Sequence, residues 1–140
     1  DILIQRGNSI DYVGIAAIYN GPQNEYIYPD LMMKIKAYHY VNPYYLHNAL
    51  ISPPVRKYFR DNAFGAQKSM PKINQKTVRN TLIMLPPFAE QLRIVSKLNE
   101  LFQFCNQLEK NIAISKEQTS MLLQTVLREA LEPTNNNINR

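Results

Sequence analysis

The chain has no tryptophan, one cysteine, two histidines and only four glycines in 140 residues, and each shortage closes off a class of function. Cys105 alone can form neither an internal disulfide nor a multi-thiolate metal site, which fits a reducing compartment. His39 and His47 have no acidic or thiol companions at ligand spacing, so they read as packing or surface residues and no metal is expected. The glycines are scattered, so no glycine-rich loop after a strand is available to hold a methyl donor. No Gly-Lys-Ser/Thr phosphate loop occurs either, which excludes an ATP-driven motor. No acidic residue stands two before a lysine in the manner of metal-dependent nucleases. Asn42-Pro43-Tyr44-Tyr45 and Ser52-Pro53-Pro54-Val55 each fall short of the Asn-Pro-Pro-Tyr type of motif that holds the target amine in adenine methyltransferases, and helix-start chemistry accounts for both. Also missing are an apolar run of the ~20 residues a bilayer-spanning helix needs and a charged-then-apolar leader. The expectation is a soluble, cytoplasmic, non-catalytic protein without a cofactor.

What the chain does have is unevenly placed. Residues 1–86 carry ten basic and five acidic side chains, whereas residues 87–140 carry six of each, so the formal charge of +5 belongs to the front. All nine tyrosines also lie there, between Tyr12 and Tyr58. Within the front the excess is concentrated further: Arg56, Lys57, Arg60, Lys68, Lys72, Lys76 and Arg79 face a single acid, Asp61. Such a segment attracts a polyanion through a salt-dependent field, although an ordinary solvated surface has the same composition. Interleaved Gln67, Ser69, Asn74 and Gln75 add amide and hydroxyl groups of the kind that read base edges.

The coarse pattern is α+β. Short strands are predicted over residues 1–5, 12–19, 26–28, 31–35 and 81–85, separated by Gly, Pro and Asn turns. Asn42-Pro43 and Ser52-Pro53 each place a capping side chain before a proline at the first helical position, so helices are predicted to run to about Ile51 and about Asn62. Gly65 is placed as the left-handed exit of the second, residues 65–73 as an exposed loop, and Asn74 as the cap of a one-turn helix. After Pro86-Pro87 the period changes. Ile94, Leu98, Leu101, Cys105, Leu108, Ile112, Ser115, Thr119, Leu122 and Val126 follow at alternating steps of four and three, a heptad seam weakened in its middle by two hydroxyl residues. A helix from about Ala89 to Leu131 is roughly 60 Å long at ~1.5 Å per residue, too long for a domain of this size to cover. Its apolar stripe requires another helix. The Asn-rich tail 133–140 is expected to be disordered.

The junction Leu85-Pro86-Pro87-Phe88-Ala89-Glu90-Gln91-Leu92-Arg93-Ile94-Val95-Ser96-Lys97-Leu98 resembles the motif that joins a target recognition domain to a conserved helix in type I restriction-modification specificity subunits. Upstream pieces agree in order: Asp1-Ile2-Leu3-Ile4 resembles an early strand of these domains, Tyr45-Leu46 through Ser52-Pro53 their helix and Ser-Pro step, and Gly65 followed by Lys72-Ile73-Asn74-Gln75 their loop into the last strand. The resemblance implies a target recognition domain over 1–86, N-terminally incomplete, a spacer helix over 87–132 and a tail over 133–140. It implies recognition of one half of a split double-stranded DNA site, with no catalysis. It further implies a helix that pairs antiparallel with a second conserved helix, in cis or from another copy, and that docks modification subunits and through them the restriction subunit. Only one recognition unit is present, which points to the C-terminal portion of a specificity subunit or to a half-length one that dimerises. Two other readings stay open: a coiled-coil assembly module that does not touch DNA, and the recognition domain of a single-chain restriction-methyltransferase. On the first reading the DNA-facing candidates are Arg56, Lys57, Arg60, Gln67, Lys68, Ser69 and Lys72. The helix-facing candidates are Ile94, Leu98, Leu101, Leu108, Ile112, Leu122 and Val126.

Overall fold

Alternation along the first strand sets the core. In β1 (Ile2–Gln5), Ile2 and Ile4 are 1% and 0% exposed while Leu3 and Gln5 point the other way, the period of two that leaves one face of a strand buried. The strand is central, with β2 (Ala16–Ile18) and β3 (Met32–Ile35) antiparallel on either side in the order β2-β1-β3. Register places Ile18, Ile2 and Ile35 opposite one another, and likewise Ala16, Ile4 and Met33. Residues directly opposite share a face, so these two rows form one apolar surface. The computed structural model describes residues 1–22, 24–65 and 70–131. The expected tail 133–140, and Gln67, Lys68 and Ser69, lie outside the described residues.

Two short helices cover that surface. α1 (Pro43–Ile51) starts where Asn42 Oδ1 accepts from the backbone N–H of Tyr44 at 2.9 Å and of Tyr45 at 3.1 Å, with Pro43 at a position needing no donor. α2 (Pro53–Asp61) follows after Ser52 alone. Contrary to the capping role read for it, the Ser52 hydroxyl turns back to donate to Ala49 O at 2.6 Å, and proline at the start of α2 supplies the rigid dihedral instead. Leu50 of α1 and Val55 and Phe59 of α2 join Ile2, Ile4, Val13, Ala16 and Ile73 in the core. Val55 and Phe59 are four apart and therefore on one helix face. The exit from α2 is made at Asn62, whose side-chain amide donates to Tyr58 O at 2.9 Å, three residues before the expected glycine.

Three other expectations are corrected. The second strand is shorter than residues 12–19, because the chain turns first: Tyr12 and Val13 both donate to Ser9 O, and Gly14 adopts φ +74°. That conformation suits glycine, and a Cβ there would lie 2.6 Å from the Phe59 ring. Residues 26–28 and 81–85 are in no ladder. In the latter the alternation survives without pairing: Ile83 packs on the core while Leu82 and Met84 are 94% and 89% exposed. Apolar alternation reports burial of one face, and a strand also needs a free neighbouring edge. Nor is the end of the 65–73 segment a free loop, since Ile73 is fully buried and Lys72 pairs with both Gly7 and Phe64. α3 (Gln75–Arg79) follows, capped as expected by Asn74, whose Oδ1 accepts from Thr77 N at 2.8 Å.

α4 (Phe88–Leu131) is a single helix of 44 residues. The chain divides into two units, Asp1–Ser96 and Lys97–Arg140, so the first nine residues of α4 belong with the sheet and short helices. Within that unit Gln91 is the one buried residue of α4. In the second unit every described residue except Leu98 is exposed, and the seam residues Leu101, Leu108, Ile112, Leu122 and Val126 range from 44% to 66%. Cys105 is exposed in the same seam. At its polar middle Thr119 Oγ1 donates to Ser115 O of its own helix at 2.8 Å. Among the described residues no helix is long and apolar enough to cross a membrane.

Candidate nucleic-acid interface

The basic segment is distributed over three consecutive pieces of backbone. Lys57 and Arg60 lie three apart on the exposed side of α2, whose other side carries Val55 and Phe59 into the core. Lys76 and Arg79 lie three apart and exposed on α3. Between the helices the chain is pinched at its base, with Phe64 N donating to Lys72 O at 2.9 Å and Lys72 N to Phe64 O at 2.8 Å. Gln67, Lys68 and Ser69, which fall between Phe64 and Lys72 in the sequence, lie outside the described residues.

Lys72 sits at the base and is half-buried. Its stem packs on Gly7, where a Cβ would meet Lys72 Cγ at 3.0 Å. This contact brings in a residue that sequence reasoning missed. Ile73 N donates to Arg6 O at 2.9 Å and Asn8 N to Pro71 O at 3.4 Å, so exposed Arg6 is laid beside the loop base by backbone pairing. No local signal marks Arg6, because its placement depends on a pairing with a segment far along the chain. Lys76 and Arg79 were visible in the charge count but not singled out.

Arg56 differs from its neighbours. Its guanidinium donates to Val13 O and, at 2.6 Å, to Asp11 O, tying the 9–14 turn to α2. Burial, reinforced by the nearby charge of Arg60 and opposed by Asp11, holds its pKa below the ordinary value, and it remains a cation. Arg56 thus has two structural partners, whereas among the described residues no acidic side chain reaches salt-bridge distance of Lys57, Arg60, Lys72, Lys76 or Arg79. The ion pairs present are elsewhere, at Lys34–Asp1, Arg93–Glu90 and Lys97–Glu100. Cations without acidic partners are the kind of group that contacts phosphate oxygens. Among the described residues no group of His, Cys, Asp and Glu side chains could hold a metal ion.

Comparison with known proteins gives a consistent set. Residues 1–117 match the family described as type I restriction modification DNA specificity domain. The specificity subunit of the type I restriction enzyme EcoKI of Escherichia coli (strain K12) is 26% identical over 132 residues, covering 93% of this chain and 28% of that subunit. The EcoEI specificity subunit of Escherichia coli is 27% identical over 134 residues, covering 93% of this chain and 22% of its own length. That of EcoAI, also from Escherichia coli, is 36% identical over 85 residues, 59% of this chain and 14% of the relative. The chain therefore spans only about a quarter of the length of the curated relatives it matches along most of its own.

Proposed function

This chain belongs to the family of type I restriction-modification DNA specificity domains, and from that premise we propose that it reads one half of a bipartite double-stranded DNA site within a type I restriction-modification complex. The observation that carries the proposal is the set of unpaired cations on α2, the loop stem and α3, in a chain whose matched relatives are specificity subunits. Lys57, Arg60 and Lys72 hold phosphates, with Arg6, Lys76 and Arg79 beside them. Gln67, Lys68 and Ser69, outside the described residues, stay candidates for contacts to bases or backbone, and Arg56 braces α2 through its bonds to the 9–14 turn. The unit 1–86 reads DNA and residues 87–132 act as spacer helix. Catalysis and cofactors belong to partner subunits.

The exposed seam of α4 supports the second half of the proposal. Five large apolar seam residues at 44–66% exposure favour burial against another helix. Ile94, Leu98, Leu101, Leu108, Ile112, Leu122 and Val126 pair with a second conserved helix, in cis or from another copy. The joined helices dock the modification subunits and, through them, the restriction subunit.

The test is a salt titration of DNA binding by the complete subunit in its complex. Each phosphate-holding cation adds about one unit to the slope of log affinity against log salt. Replacing Lys57, Arg60 and Lys72 by alanine lowers that slope by about three units and leaves base preference intact. An unchanged slope and affinity removes this surface from the DNA interface. The same seam also fits a module that only assembles, and a DNA footprint that appears only when the modification subunits are present and that the three alanine changes leave intact selects that reading.

A further inference from the structure

We infer that Gln91 is the positioning residue that fastens the recognition unit to the spacer helix, and that its side-chain amide governs which gap between half-sites the complex accepts. The inference rests on the spacer reading of α4 given above. Gln91 is 1% exposed although Leu92 and Arg93 beside it are exposed. Its Oε1 accepts from Asn42 N at 2.8 Å, and its Nε2 donates to Pro86 O at 2.9 Å and Tyr40 O at 3.2 Å. Both donor protons and one acceptor site of the amide are therefore engaged, all with main-chain groups.

The choice of partners explains why an amide stands here. Asn42 caps α1 through its side chain and receives α4 through its N–H, so one residue joins the starts of both helices. Apolar packing does little at this point, because Phe88 and Leu92 are 42% and 47% exposed. Gln91 also stands three before Ile94, in step with the seam, where an apolar residue would extend the stripe. The seam instead begins with a polar clasp. Leucine has nearly the same volume but leaves an N–H and two carbonyls without their partner, and glutamate keeps the acceptor while losing both donors. A helix is stiff over several turns, so a first turn freed from this clasp lets the recognition unit swivel.

The experiment uses the complete specificity subunit assembled with its modification subunits, and duplexes that share both half-sites and differ only in the gap by one or two base pairs. Methylation rate is read against gap length, and separately against a base change within a half-site. Gln91→Leu reduces the preference for the native gap about tenfold, the size of a lost buried hydrogen bond, while discrimination within the half-site stays as in the wild type. Tyr45→Phe, which removes the neighbouring 2.7 Å bond to Met84 O without touching the clasp, keeps the native gap preference. If Gln91→Leu retains the wild-type gap preference, or loses half-site discrimination in step with it, the positioning role is wrong. Should Gln91→Leu not yield an assembled subunit, Gln91→Glu is judged by the same two readouts. A wild-type complex indifferent to gap length sinks the spacer reading itself, whereas a sharp wild-type preference that the variant keeps undiminished sinks only the role of Gln91.

Discussion

Arg56 opens the basic segment, yet its side chain serves the fold. Removing the guanidinium while keeping the stem, as in Arg56→Met, leaves the carbonyls of Asp11 and Val13 without a donor and frees the 9–14 turn. At a partly solvated site this costs about 1–2 kcal/mol, read as a lower denaturation midpoint in urea, and a midpoint equal to the wild type's discards the strut assignment. Gly14 is the other pivot of the same turn. Alanine there meets a positive φ and a Phe59 ring at 2.6 Å, and Gly14→Ala destabilises by about 1–3 kcal/mol. Thermal unfolding measures it, and an unchanged melting temperature shows that the turn relaxes freely. Both residues show why charge and glycine counts mislead at this scale: the sequence displays the residue type, while its partner is a carbonyl or a ring more than forty residues away.

At the scale of elements, what could be read depended on how local its cause is. Asn42-Pro43 and Asn74 act within one turn of themselves, so α1 and α3 start where their caps predict, and the heptad steps give nearly the observed span of α4. Ile73, Arg6 and the unpaired 81–85 segment were not legible, because burial and ladder membership depend on which remote edge is free. For α4 the consequence is testable. Leu101→Asp with Leu108→Asp places two charges where a partner helix is to bury them, and desolvating an unpaired carboxylate costs several kcal/mol. Helix pairing and complex assembly are lost, as size-exclusion chromatography with light scattering reports; assembly that survives both changes dismisses the seam. Circular dichroism keeps that loss distinct from unfolding, since both positions are exposed in the isolated chain.

For the molecule as a whole, the division into residues 1–96 and 97–140 suggests that the two proposed tasks can be damaged separately. The Lys57, Arg60 and Lys72 alanine variant lowers DNA affinity without affecting assembly, and the Leu101, Leu108 aspartate variant does the reverse. Combined in one subunit, their effects on each readout equal those of the relevant variant alone, because independent sites without shared partners are additive. A coupling that exceeds measurement error means the two faces act as one. One small feature bears on how such a molecule chooses its companions. A buried polar side chain usually demands a polar mate across a helix pair and thereby dictates alignment. Thr119 makes no such demand, because its hydroxyl is already satisfied by Ser115 of the same helix. On the proposed pairing, Thr119 therefore imposes no donor requirement on a companion helix at that level. In that pairing, selectivity then falls to bulk, above all to the exposed Phe102 and Phe104 that flank Leu101 on the helix surface, and the central part would be permissive to exchange between related subunits.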